Sequence, residues 1–387
     1  MIVLSLFNGM STGHTALDNV GIKVDKYYSS EIKPSAIKLT QYHYPDTIQL
    51  GDITNWKEWN IEWKEIDMVL SGSPCQDLSI AGKRKGLEGE RSGLFWIFVD
   101  ILNHIKELNP DVLFLQENVG SAPKKDVGIM SRALGVYPVR INSSLVTAQM
   151  RDRYYWSNIR TRQDGLFGDL ITDIPQPKDR KIMFKDIVQG GAVKVDKSVC
   201  LVERTIASAS YKDLYSDKAQ KFLKERESRS MMSSVYQNKS GALLQGDFKM
   251  FIKDEDRQDV YLRKRLKNGS QTPPLIYEKN NELRCKTNTK KGYDVITDND
   301  GVDLSYPKST SRRGRVIKGK SPCLLTENKI YKKEGMKVRT VNKVEMCRLQ
   351  GFPDDWCDIL TKNQAGSLLG DGWTLPIIEH IFSYIGE

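Results

Sequence analysis

The sequence predicts a doubly wound, mixed α/β sheet with an inserted, smaller second domain. Three observations predict it. Short β-rich runs alternate with helical patterns over residues 1–160. Two of those runs are wholly apolar, as in strands covered on both faces. Beyond residue 161 charge and turn clusters replace this periodicity, and regular patterning resumes near residue 334.

The elements follow in order. Ile2–Phe7 reads as a strand and Thr12–Asn19 as a helix. Val24–Ser29 is a second strand, followed by a helix from Pro34 to about Tyr42. Met68–Leu70 and Val112–Leu115 are the two apolar runs. Between them Leu94, Phe95, Ile97, Phe98, Ile101, Leu102, Ile105 and Leu108 recur at helical spacing. Ser92 is the expected N-cap, and Asn109-Pro110 ends the helix. Its aromatic residues belong in a core. Tyr154–Ile159 is a further strand. The domain boundaries expected from these patterns are 1–160, 161–330 and 331–387.

Composition narrows the class. With 387 residues, 39% hydrophobic and 28% charged, the chain can bury ordinary cores in about two domains. No run approaches the ~20 apolar residues of a membrane span. The first residues, Met-Ile-Val-Leu-Ser-Leu-Phe, show neither a basic leader nor a small-residue cleavage site. A soluble, cytoplasmic protein with no membrane partner is expected. Six cysteines lack any Cys-x-x-Cys spacing, and four histidines lack His-Glu-x-x-His. Reduced thiols and no metal are the reading.

The net charge of +10 is unevenly placed. Residues 161–330 hold 34 Lys/Arg against 23 Asp/Glu, whereas the remainder holds 25 against 26. An excess confined to one region predicts a surface for a polyanion. Two basic turns stand out: Lys83, Arg84 and Lys85 between glycines, and Arg312, Arg313 and Arg315 in a Ser/Thr-flanked loop.

In open α/β sheets ligands bind beyond the carboxyl ends of the strands. After the first strand comes Asn8-Gly9-Met10-Ser11-Thr12-Gly13, a loop that lets backbone approach a ligand and equally suits a tight turn. Glu31 follows the second strand, 22 residues after Gly9, near the offset at which an acid grips ribose hydroxyls. Gly51-Asp52-Ile53 adds another acid at the same edge. Together they point to an adenosine-containing cofactor, and no Gly-Lys-Ser/Thr follows to suggest a triphosphate. Ser71-Gly-Ser-Pro-Cys75 ends the next strand, and Glu117-Asn118-Val119 ends the one after. A cysteine in a polar loop beside a glutamate suggests a nucleophile with an acid. In Gln149-Met-Arg151-Asp-Arg153 alternate side chains project together, so two guanidiniums can hold an oxygen or lower the Cys75 pKa.

These blocks, in this order, resemble the cytosine-C5 DNA methyltransferases of microbial or phage type. The match runs through Phe7-x-Gly9, Glu31, Asp52, Pro74-Cys75-Gln76, Glu117-Asn118-Val119 and Gln149-x-Arg151-x-Arg153. It resumes at Arg339-Thr340, Glu345, Arg348-Leu-Gln-Gly-Phe-Pro353 and Gly370-Asp-Gly-Trp373. The resemblance implies a Rossmann-like class I methyltransferase fold and S-adenosylmethionine as cofactor. It also implies that the enzyme methylates C5 of a cytosine flipped out of double-stranded DNA. By the same resemblance Cys75 would attack C6, Glu117 would hold the N3 and amino edge, and Arg153 with Arg151 would contact the O2 side. Phe7, Asn8, Gly9, Met10, Ser11, Thr12, Glu31, Asp52, Ile53, Leu94, Asp371, Gly372 and Trp373 would surround the cofactor. Residues 161–330 would recognise the target, and the Lys83–Lys85 loop would close over DNA.

Two departures stand out. The family's Phe-x-Gly-x-Gly-Gly is Phe7-Asn-Gly-Met-Ser-Thr-Gly13 here, and its Gly-Asn is Gly370-Asp371. An RNA substrate is the alternative, argued against by the long basic insert. A non-enzymatic DNA-binding relative would lack Cys75 or Glu117, and a nicotinamide enzyme would carry Gly-x-Gly-x-x-Gly. A restriction endonuclease of the same system is a possible partner.

Overall fold

A computed structural model of the chain describes residues 1–74, 93–165, 168–189, 275–306, 309, 313–324, 330–334 and 337–386, with backbone alone at 248–249, 251–254, 259–262, 334 and 337–339. Cys75, Lys83, Arg84, Lys85, Ser92 and Arg312 lie outside the described residues. The chain divides into two compact units. The first comprises Met1–Ile182, Cys323–Glu327 and Met346–Glu387; the second comprises Met183–Pro322 and Asn328–Glu345.

The first unit is built on a seven-stranded sheet. Its strands are β1 (Ile2–Leu6), β2 (Lys26–Ser30), β3 (Ile48–Gln49), β4 (Met68–Ser71), β5 (Leu113–Val119), β6 (Val139–Asn142) and β7 (Asp152–Ser157), in the order β3-β2-β1-β4-β5-β7-β6. The first five are mutually parallel, and β7 runs antiparallel to both β5 and β6. The mixed, doubly wound class is therefore correct.

The direction of winding reverses between β1 and β4, so the crevice at their carboxyl ends is the topological switch point. Helices α1 (Thr12–Asn19), α2 (Pro34–His43), α3 (Leu94–Leu108) and α4 (Lys124–Leu134) make the crossovers and connections. Leu4, Leu6, Val69, Phe114 and Trp156 on one sheet face pack against Phe95, Phe98, Ile101, Leu102 and Ile105 of α3 and Met130 and Leu134 of α4. The aromatics of α3 are thus core. On the opposite face α1 lies so close that a Cβ on Gly13 would come within 2.4 Å of Leu70 Cδ1.

The fifth strand is longer than its apolar run. β5 continues through Glu117 to Val119, because β7 supplies an antiparallel partner: Glu117 faces Tyr155 and Val119 faces Arg153. Glu117 is therefore held inside a strand and does not sit in the loop beyond it. Hairpin strands β8 (Thr161–Gln163) and β9 (Leu170–Thr172) complete this stretch.

The second unit is mostly antiparallel sheet. It begins at the short helix α5 (Phe184–Ile187). Strands β10 (Phe248–Lys249), β11 (Phe251–Asp254), β12 (Asp259–Leu262), β13 (Ile276–Lys279), β14 (Glu282–Lys286), β15 (Tyr293–Val295), β16 (Gly301–Asp303), β17 (Arg315–Ile317), β18 (Ile330–Glu334) and β19 (Lys337–Thr340) form two five-stranded sheets, β10-β19-β18-β16-β17 and β11-β12-β13-β14-β15. Ile276, Leu283, Cys285, Val302, Leu304 and Tyr331 share its core. Burial pushes the Cys285 thiol up to about 12, so it is inert packing.

The chain returns through α6 (Lys343–Gln350), α7 (Lys362–Asp371) and α8 (Leu375–Phe382). Among the described residues no helix is long and apolar enough to cross a membrane.

Phe98 is fully buried between α3 and the sheet. Phe98→Ala should lower unfolding stability by about 3–5 kcal/mol, seen as a lower denaturant midpoint at unchanged slope.

Candidate active site

The loop after β1 is backbone under tension. Phe7, Gly9 and Ser11 have φ of 56°, 59° and 60°. For the two non-glycines the left-handed conformation costs about 1–2 kcal/mol each, which the surroundings must impose. They do so with hydrogen bonds. Tyr27 donates its hydroxyl to Asn8 Oδ1 at 3.1 Å, and Asn8 Nδ2 donates to Ser11 Oγ at 2.8 Å and Thr40 Oγ1 at 3.2 Å. The Gly9 amide donates to Glu31 Oε2 at 2.8 Å. Glu31 Oε1 accepts from the amides of Ile32 and Lys33, each at 2.8 Å.

Ser11, which stands where the family has a glycine, thus holds a left-handed backbone that glycine would adopt freely. Asp52 is exposed beyond β3, its Oδ1 accepting from the Thr54 amide and hydroxyl at 2.9 Å, and Ile53 is buried beside it. Met10 and Thr12 are buried under the loop, and Leu94 packs on the core.

Across the switch point stands a carboxylate held from two sides. Glu117, 8% exposed, receives Arg153 Nε at 2.6 Å on Oε1 and Trp373 Nε1 at 3.2 Å on Oε2. The neighbouring strand end is tied to it: Gln116 Nε2 donates to Ser73 Oγ at 2.9 Å, and Asn118 Nδ2 reaches the same oxygen at 3.5 Å. Ser73 and Pro74 are the residues immediately before Cys75.

Arg151, 3% exposed, does something the sequence did not suggest. Its Nη1 donates to Gly370 O at 3.1 Å, and its Nη2 to Gly372 O at 2.8 Å and Asp371 O at 3.5 Å. It thus caps the carboxyl end of α7 with a fixed cation, satisfying carbonyls that the helix leaves over. Gln149, two residues earlier, donates to Leu349 O and Gln350 Oε1 at 2.7 Å, and Gln350 Oε1 also accepts from Thr374 Oγ1 at 2.9 Å. Ser143 Oγ donates to Thr374 Oγ1 at 2.8 Å.

Gln149, Arg151 and Arg153 thus each have a different partner: Gln350, the end of α7 and Glu117. Asp371, where the family has Asn, pairs with Lys33 at 2.8 Å. That ion pair gives the departure a physical reason. A Cβ on Gly372 would lie 2.7 Å from Met10 Cε, so the loop after β1 and the end of α7 touch.

Arg151 Nη1 also lies 3.2 Å from Cys323 Sγ. Burial raises that thiol's pKa, but Arg151 and Arg153 together outweigh burial and leave it below the ordinary range. Sequence reasoning passed over Cys323, although Ser321-Pro322-Cys323 repeats the Ser73-Pro74-Cys75 pattern. It also passed over Ser143, Gln350 and Thr374, buried polar residues whose roles come only from distant partners. Of the basic residues, Arg315 is committed to Asp303, and Arg313 is half-buried. Among the described residues no group of three or more His, Cys, Asp or Glu could hold a metal.

The chain matches the family described as C-5 cytosine-specific DNA methylase over residues 1–387. It is 23% identical over 427 aligned residues to the type II methyltransferase M.NgoBV of Neisseria gonorrhoeae, covering 98% of this chain and 97% of that one. It is 32% identical over 235 residues to the orphan methyltransferase M.SPRI of Bacillus phage SPR, covering 58% of this chain and only 49% of that protein. A solved structure, S. pombe Dnmt2 methyltransferase, aligns over 100% of this chain and 98% of its own at 15% identity, with a TM-score of 0.49. The chain belongs to the C-5 cytosine-specific DNA methylases, a family of S-adenosylmethionine-dependent enzymes.

The strand-end acids and the strained loop fit that cofactor. Asp52 is exposed beyond β3, and the Glu31 carboxylate, by accepting from the Gly9 amide, fixes the loop at the switch point.

Replacing Arg151 with Ala should cost about 2–3 kcal/mol, because carbonyls at the end of α7 lose a charged donor. Arg151→Lys should recover less than half of this, since one ammonium cannot span them. Chemical denaturation of the three proteins measures both.

Proposed function

We propose that this protein methylates C5 of a cytosine extruded from double-stranded DNA, through a transient bond between Cys75 and C6. The observation that carries the reading is the Arg153–Glu117 pair on β7 and β5, next to the strand end that leads into Cys75. A carboxyl and a guanidinium side by side complement the N3, amino and O2 edge of cytosine.

Each step follows from a residue. The base must leave the stack, at a cost of a few kcal/mol, before any side chain reaches C6. The Cys75 thiolate adds to C6 while Glu117 donates a proton to N3, so the ring's electron density shifts to C5. Arg153 steadies the O2 side, and Arg151 acts one layer behind by fixing residues 370–372. Bound S-adenosylmethionine supplies an electrophilic methyl group. It would be held by Phe7, the Asn8–Thr12 loop, Glu31, Asp52, Ile53, Leu94 and Asp371–Trp373. Loss of the C5 proton to water, departure of the Cys75 sulfur from C6 as thiolate and return of the N3 proton to Glu117 then restore the aromatic ring and the enzyme.

The second unit is the proposed target-recognition surface, its lysines and arginines meeting phosphates and other groups reading bases. Arg313 is the better candidate there, because Asp303 neutralises Arg315. The bacterial and phage relatives favour DNA over RNA and a bacterial cytoplasm as the place of action, in either a restriction system with its endonuclease or a solitary enzyme.

Incubation with labelled S-adenosylmethionine and DNA or RNA, followed by bisulfite sequencing, tests the substrate; transfer to RNA alone contradicts the reading. Cys75→Ser should abolish methyl transfer and the covalent adduct with 5-fluorocytosine DNA, whereas Cys323→Ser should retain the adduct. The opposite pattern would identify Cys323 as the nucleophile. DNA affinity should fall at least tenfold between about 50 and 200 mM salt if several phosphates are neutralised.

A further inference from the structure

Trp373 stands where the cofactor side and the base side of the crevice meet. Its indole N–H points at Glu117 Oε2, 3.2 Å away, while Arg153 Nε holds the other oxygen at 2.6 Å. We infer that Trp373 is a positioning residue for the Glu117 carboxyl as well as a wall of the cofactor pocket. This rests on the methyl-transfer reading given above.

The indole has little freedom to do anything else. It is 9% exposed, and the residues on either side of it are anchored: Gly372 O accepts from Arg151, and Thr374 Oγ1 sits between Ser143 and Gln350. Its face is set by Gly72, at the end of β4. A Cβ added there would lie 2.8 Å from the indole Nε1 and 3.3 Å from Cε2. Only a glycine lets the ring lie flat enough against the strand end to aim its N–H at Glu117.

The terminal torsion of a glutamate is soft. One donor per oxygen therefore fixes the plane of this carboxyl, which must meet the base edge squarely. Removing the indole N–H should let the carboxyl turn. The residue that closes the methyl-donor pocket would thus also orient the acid that addresses the base.

Trp373→Phe keeps an aromatic ring and removes the donor. Wild type, Trp373→Phe and Gly72→Ala are compared for DNA methylation with S-adenosylmethionine, alongside cofactor retention by equilibrium dialysis. Trp373→Phe should hold the cofactor within about twofold of wild type while kcat falls about tenfold, the size of one lost hydrogen bond to a charged group. Gly72→Ala, which displaces the indole, should lower kcat in the same way.

A native kcat in Trp373→Phe would overturn the inference while leaving the methyl-transfer reading intact. If Trp373→Phe cannot hold cofactor, a native kcat in Gly72→Ala overturns it equally. Absence of methyl transfer by wild type would remove both.

Discussion

A single guanidinium ties the two ends of the chain's first unit together. Arg151 leaves β7 and holds carbonyls of residues 370, 371 and 372, which are the last turn of α7 and the residue beyond it. Between these partners lie more than two hundred residues, including the whole second unit. A helix end presents unpaired carbonyls and a partial negative charge, so a buried fixed cation is its natural counterpart. Once this contact forms, Trp373 has its place beside Glu117 and Met10 has a neighbour in Gly372. The Gln149–Gln350–Thr374–Ser143 network repeats the same join with neutral groups, and a buried network of that kind specifies one arrangement.

This explains how residues proposed to act together, though scattered along the sequence, are carried by neighbouring strands. β1 supplies the strained loop and β2 supplies Glu31. β4 leads to Cys75, and β5 and β7 supply Glu117 and Arg153. The parallel order places the first three strand ends on one edge, and the antiparallel entry of β7 between β5 and β6 brings Arg153 beside Glu117. The sheet's reversal between β1 and β4 leaves a crevice at the strand ends, and the closing segment meets Met10 through Gly372 and Glu117 through Trp373.

Much of the first unit was legible in the sequence. Apolar runs gave away β4 and α3, the loop after β1 was readable from its small residues, and the ordered blocks located Glu117, Arg151 and Arg153. The end of β5 was not legible, because antiparallel pairing with β7 extends a strand beyond its apolar run. Arg151 was read as a base contact, and nothing local says that its guanidinium turns toward a helix end two hundred residues away. Gln350 and Thr374 looked like ordinary polar residues for the same reason. In the second unit, short strands such as β15 and β17 carry too few residues for a period to show. The charge excess there was visible, whereas its internal pairing, as between Arg315 and Asp303, was not.

The central claim is that the Arg151 clamp seats the closing segment and thereby completes the crevice. Site-resolved hydrogen exchange on wild type and Arg151→Lys tests it most directly. The amides of Gly372, Ile377 and Ile378 are bonded within this segment, to Leu368 and Thr374 carbonyls. The account predicts much faster exchange at these three amides in Arg151→Lys, with β1 and β4 amides unchanged. Equal protection in both proteins, or uniform acceleration across the sheet, would contradict it.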